Sequence, residues 1–387
     1  MESAKGEIEM SETKISGTKK RESGVELLKI IAILLIVFSH VLQTLSQKNG
    51  YIDYQDYLID LSHSTTDPFY LTLSIMRYAG VFGNTLFFVC SAWFLTQVSA
   101  VKKDRIIHLV LDNFVISAAI ALILLFAGMN LSHSLFVKSF FPTFFSMNWY
   151  VTCYVLFLFI VPFLNGILAH IDRKKHFWLM VITSFCYILL NAVYTFPYAN
   201  NLMTWITIFI AVSYIKNYRM DLADNTKFNL ILLFSSAIAL LIILVAINYM
   251  GLKWDFFNDK IFYLNTNANP FLIVISFALF QLFRKIKGQN RFVNYLSSLS
   301  LFIYLLHENT LVKTYLRPKV WQWIYVNIGY QYLAVEIIAY TLLLFFVSAI
   351  VAALYKVSIG RLSQLCAGKI GERVQYMKTK AENRLKL

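Results

Sequence analysis

Long apolar runs separated by short polar connections recur from residue 23 to residue 356. They lack the alternation of barrel strands, which repeats over about ten residues. They suit membrane-crossing helices, which need ~20 apolar residues each. The pattern predicts ten spans, near 26–46, 75–98, 106–128, 150–168, 177–195, 201–215, 228–249, 270–284, 297–316 and 333–356, the sixth and eighth being short. The expected fold class is therefore all-α, a polytopic integral membrane bundle of about ten transmembrane helices. No internal repeat or soluble domain is visible. The expected organisation is a polar cytoplasmic tail over 1–22, a membrane domain over 23–358 and a basic cytoplasmic tail over 359–387.

Charge placement gives the orientation. Lysine and arginine concentrate in the tails and in the connections VKKDR (101–105), DRKK (172–175) and RKIKGQNR (284–291), which reads as positive-inside and puts both termini in the cytoplasm. The first apolar run is too long for a signal-peptide core and no small-residue cleavage site follows it, so it reads as a span. Composition agrees: 58% of residues are hydrophobic and 14% charged. The net charge of +14 would elsewhere point to nucleic acid, but its distribution marks topology and attraction to anionic lipid. The tail from Gly360 reads as a basic segment on the inner membrane surface. Cys90, Cys153, Cys186 and Cys366 form no disulfide or zinc pattern.

Candidate chemistry sits inside the spans, where ionisable groups are costly and face a bundle interior or a cavity. The first span carries Glu26, Lys29 and His40. Eleven residues make about three turns, so Lys29 and His40 share one face ~16 Å apart. Lys29 falls near the cytoplasmic end and His40 in the outer half, and Glu26 lies one turn from Lys29. In the second span Arg77, Asn84 and Ser91 repeat at sevens, with Gly80 and Gly83 allowing close helix approach. The ninth span puts Ser297, Ser300, Tyr304 and His307 on one face, with Glu308 adjacent. His307 reaches a depth comparable with His40. Metal binding is not expected, since no ligand spacing supports it. No phosphate-binding glycine loop or nucleophile elbow occurs. His63, His108, His133, His170 and His176 fall in loops or span ends and read as solvated. The segments 47–70, with Asp53, Asp56, Asp60 and Asp67, and 250–269, rich in aromatics and amides, have side chains that suit sugars but read equally as an aromatic belt at the headgroup level.

These residues resemble the membrane acyltransferase-3 family, whose bacterial members mostly O-acetylate surface glycans. Glu26 and His40 match its first-span signature, with Lys29 where the family usually has arginine. FFVCSAWFL (87–95) is similar to a Phe-rich family segment, with Ala92 in a glycine place. Arg105 matches a basic cytoplasmic position, and NWYVTCYVLFLFIVPFLN (148–165) and IYLLH (303–307) also match. The resemblance covers roughly 21–356.

The resemblance implies a multi-pass enzyme of the bacterial plasma membrane. Its donor would be cytosolic acyl-CoA, usually acetyl-CoA, and its acceptor a hydroxyl of a surface or lipid-linked glycan. Its partners would be these two substrates and the bilayer, without nucleic acid or a permanently bound cofactor. On this reading His40, Glu26 and His307 are catalytic, Lys29 and Arg105 bind the donor, and Ser91, Tyr304 and Arg77 support the acceptor or an oxyanion. The alternative is a secondary transporter or exporter with His40 and His307 as a proton relay.

Overall fold

The computed structural model describes residues 22–48, 55–96, 98–193, 200–360, 363, 365–366, 368–373 and 377. Among these the regular elements are helical. In chain order they are α1 (Ser23–Ser46), α2 (Pro68–Met76), α3 (Ala79–Leu95), α4 (Lys103–Phe126), α5 (His133–Lys138), α6 (Trp149–His170) and α7 (Arg173–Ser184). A π-helical turn (Phe185–Leu189) leads to α8 (Leu190–Val193), then α9 (Asn201–Tyr218), α10 (Met220–Ala223), α11 (Thr226–Gly251), α12 (Asp255–Asn258) and α13 (Pro270–Phe283). The chain ends with α14 (Arg291–Ser297), α15 (Ser300–His307), a second π-helical turn (Val312–Leu316), α16 (Arg317–Asn327) and α17 (Leu333–Val357).

Among the described residues seven stretches are long and apolar enough to cross a membrane: 23–46, 68–95, 103–126, 149–170, 173–192, 226–251 and 333–357. The other three expected spans are less regular. The sixth, α9, carries Asn201, Lys216 and Asn217 at its ends, and the eighth, α13, has 14 residues. The expected ninth span, 297–316, is broken. Buried Asn309 turns its amide oxygen onto the Leu311 N–H at 3.0 Å, a local bond that competes with helix continuation. Pro318 then opens α16, as suits the first helical turn.

Burial separates an inner from an outer layer. In the apolar windows of 68–95 and 23–46, 67% and 56% of residues are buried, against 11% for 173–192 and 226–251. The outer face of α11 exposes Ile231, Phe234, Ile238, Leu241, Ile242 and Val245. An apolar face of that extent suits lipid contact, not water.

Helix α1 is the inner axis and α3 its closest partner. A Cβ on Gly83 would lie 2.5 Å from the Ala32 carbonyl oxygen and 2.7 Å from Ile36 Cγ1, so glycine is what lets the two backbones approach. Gly83→Val is expected to destabilise the fold by ~1–3 kcal/mol through overpacking, read as a lower melting temperature in detergent; an unchanged melting temperature would contradict this packing.

The two aromatic and acidic segments are knitted to each other. Ser64 N donates to the Asn258 carbonyl at 2.9 Å, and Thr65 N to Asn248 Oδ1 at 2.9 Å. Asp67 caps α2 through Phe69 N at 2.8 Å, and Asp60 accepts from the Ser62 N–H at 2.8 Å. These carboxylates therefore hold the segments' own structure. Asp53 lies outside the described residues, as does most of the tail from Gly360.

Candidate functional site

One face of α1 runs at helical spacing through Lys29, Ile33, Ile36, His40 and Gln43, with Gln47 just past the helix end, and three spaces line up along it. At the Lys29 end lies a cavity of about 450 Å³ whose lining includes Lys29, Cys90, Ser91, Phe94, Lys102 and Arg105. Its cations have no carboxylate among the lining residues. Glu26 accepts from Lys29 Nζ at 3.1 Å through one carboxylate oxygen and from Ser297 Oγ at 2.5 Å through the other. Glu26 thus ties Lys29 to α14. Arg105 Nη2 donates to the Tyr154 hydroxyl at 2.9 Å.

One to two turns along α1, Ile33 and Ile36 border a void of about 20 Å³ lined also by Asn84, Tyr150, Ser300 and Tyr304. Asn84 Oδ1, the Tyr150 and Tyr304 hydroxyls and Ser300 Oγ are buried without a hydrogen-bond partner. Buried polar atoms are rarely left unpaired, and these four belong to residues around one void.

Beyond the void, His40 Nδ1 lies 3.0 Å from His307 Nε2 and 2.9 Å from Glu308 Oε2. His307 Nδ1 lies 2.6 Å from the Ile303 carbonyl. A carbonyl can only accept, so His307 carries its proton on Nδ1 and, when neutral, presents a lone pair at Nε2. His40 must then be the donor from Nδ1 to His307, with the Glu308 carboxylate beside it. That leaves the lone pair of His40 on Nε2, the tautomer a general base needs. Glu308 is itself held by Lys313 Nζ at 3.2 Å and Arg317 Nη1 at 3.2 Å. Arg317 is 1% exposed, so this cluster is buried on the Arg317 side, while Lys313 is partly exposed. His40 keeps a little accessible surface, 12% of its side chain.

The sequence-predicted residues therefore divide. His40 and His307 touch, with the Tyr304 ring 6.0 Å from that of His307. Lys29, Arg105 and Ser91 share the cavity, so Ser91 stands on the Lys29 side and not beside the histidines. Arg77 is drawn away because the α2–α3 break at Arg77 and Tyr78 takes it off the α3 stripe. Its guanidinium lies 4.3 Å from the Phe262 ring centre, and the structure does not bring it to the acceptor place assigned from the sequence. His176 is a second correction: expected in solvent, it is fully buried, with Nε2 3.2 Å from the Ile210 carbonyl. His63, His133 and His170 are exposed.

The sequence reading did not assign Lys313, Arg317, Asn84 or Tyr150 to the site. The first two follow the break after α15, and nothing in residue spacing shows that they turn back onto Glu308. His40, His307 and Glu308 also present three metal-ligand atoms within 4.8 Å of one another. Spacing missed this grouping because it joins two helices. The carboxylate is already paired with two cations, which opposes a dication there, and the tautomer chain accounts for the contacts.

The family model for an acyltransferase domain matches residues 22–356. The chain belongs to the acyltransferase-3 family. The matched region takes in both ends of the α1 stripe and the broken helix, so this acyltransferase-3 protein carries its buried polar cluster inside the family domain. Neither the curated proteins nor the solved structures give a match. Several apolar helices and this family together make the chain a multi-pass membrane protein of acyltransferase type.

Proposed function

We propose that the protein is an O-acetyltransferase of a bacterial plasma membrane, moving an acetyl group from cytosolic acetyl-CoA to a hydroxyl of a surface or lipid-linked polysaccharide. The observation that carries this reading is the α1 stripe, with the basic Lys29 cavity at one end and His40 near the other. Lys29, Lys102 and Arg105 offer charge-assisted hydrogen bonds to the donor's phosphates. Lysine acts there as a point charge where arginine would make a fork. The void of about 20 Å³ favours an acetyl group over a long chain, since it holds little more than one water.

In the reaction His40 Nε2 takes the proton of the sugar hydroxyl as its oxygen attacks the thioester carbonyl carbon. The Glu308 carboxylate beside Nδ1–H stabilises the imidazolium, in the manner of a Ser-His-Asp triad. Tyr304 and Tyr150 supply hydroxyl donors for the developing oxyanion. Collapse breaks the C–S bond, and the proton on His40 passes to the thiolate, giving a sugar ester and free CoA. His307 fixes the tautomer of His40, and Glu26 positions Lys29.

The direct test is mass analysis of surface glycans from cells with and without the gene. Loss of acetyl increments in the deleted strain is expected; unchanged glycans would remove this acceptor class. Orientation is tested by cysteine labelling after removal of the native cysteines. Cysteines at Asn130, Asn200 and Asn258 should react with impermeant reagents on intact cells, and those at Lys174 and Lys287 only after permeabilisation. The reverse pattern would put the Lys29 cavity outside and overturn the cytosolic donor.

A further inference from the structure

The third space along α1 lies one to two turns past His40, on the side away from Lys29. It is a polar cavity of about 220 Å³ lined by Gln43, Thr44, Gln47, Lys48, Lys313 and Thr314, with Pro318. Drug-sized ligands fill ~300–1,000 Å³, so this space suits one sugar residue with the rest of a chain outside. Two amides and two hydroxyls match a polyol. The charge is less expected. Among the described residues two lysines line the cavity and no carboxylate does. Lys313 Nζ touches Glu308 at 3.2 Å, but buried Arg317 pairs with the same carboxylate at 3.2 Å. One carboxylate thus faces Lys313 and Arg317, with Lys48 beyond, and the neighbourhood keeps a positive excess. Of the lining residues Lys313 is the one linked to the base, since Glu308 joins it to His40 Nδ1.

We infer that this cavity is the acceptor subsite and that it selects a sugar residue bearing an anionic group, a carboxylate or a phosphate, close to the hydroxyl that is acylated. The anion would lie between Lys48 and Lys313, sharing Lys313 with Glu308, which puts the ring one to two turns from His40. This rests on the acyl-transfer reading and adds the chemical class of the acceptor. A neutral sugar would leave the lysine pair without a partner, so discrimination comes from charge and falls with salt.

The test is equilibrium binding to the purified full-length protein in lipid nanodiscs, without donor. The probes are methyl β-glucuronide, glucose 1-phosphate and methyl β-glucoside. At low salt at least one anionic probe should bind about tenfold or more tightly than the glucoside; which one does so assigns carboxylate or phosphate. Lys48→Gln should remove most of that preference, while Lys48→Arg should keep it. Equal binding of all three probes, no binding of either anion, or a preference that survives both Lys48→Gln and Lys313→Gln would overturn the inference. Because binding is read without donor, an anion preference without any acyl transfer would leave the subsite standing and remove the acyltransferase reading. Transfer to neutral sugars alone would do the opposite.

Discussion

His40→Ala is expected to abolish acyl transfer, lowering the rate by ~10²–10⁴, the usual contribution of a positioned general base. The loss should fall on turnover at saturating donor, because His40 acts on the acceptor hydroxyl and the Lys29 cavity is untouched. The fold should survive. His40 has 12% of its side chain accessible, and its removal adds no charge to the interior. Glu308 keeps Lys313 and Arg317 as partners. The check is the transfer rate on membranes holding matched amounts of each protein, with the melting temperature measured alongside. A variant with normal transfer would remove His40 from the chemistry and with it the tautomer chain through His307.

Lys29→Met should weaken the donor side. A charge-assisted hydrogen bond contributes ~1.5–3 kcal/mol, so the acyl-CoA requirement should rise by roughly ten- to a hundredfold, with a smaller effect on turnover once donor saturates. Lys29→Arg should keep substantial activity, since the cavity has space around the side chain and a guanidinium also binds phosphate. The competing view is that Lys29 only snorkels to the membrane boundary. On that view methionine is tolerated, because Lys19, Lys20 and Arg21 still set the orientation. Titration of acyl-CoA separates the two, and an unchanged donor curve for Lys29→Met takes Lys29 out of the site. Glu26 would then be explained by its bond with Ser297 alone.

Much of this was legible before the structure. Helical period alone puts Lys29 and His40 on one face, because both lie in one uninterrupted helix. Of the ten spans that the apolar runs predict, seven are among the described residues long and apolar enough to cross a membrane, since length and hydropathy are local properties of the chain. What failed depends on helix interruptions. The α2–α3 break takes Arg77 off a stripe that spacing had drawn straight. The break after α15 returns Lys313 and Arg317 to Glu308, a contact that a continuous ninth span would have excluded. His176 reads as solvated from its place at a span end, whereas its imidazole packs inward against the Tyr214 ring at 5.4 Å. Discontinuous helices at membrane depth occur where they are buried in protein or line a cavity, and here the second break borders the polar cluster.

In the proposed reaction a group leaves a thioester and arrives on a sugar oxygen through His40. The measurement closest to it follows both products at once, in vesicles holding the purified protein, with labelled acetyl-CoA and a glycan acceptor. Free CoA thiol and alkali-labile label on the glycan are counted over the same interval. The account predicts that they appear in equal amounts, and that both fall together in His40→Ala. Glycan crossing the vesicle membrane with no CoA released, as a proton-coupled exporter would give, contradicts it.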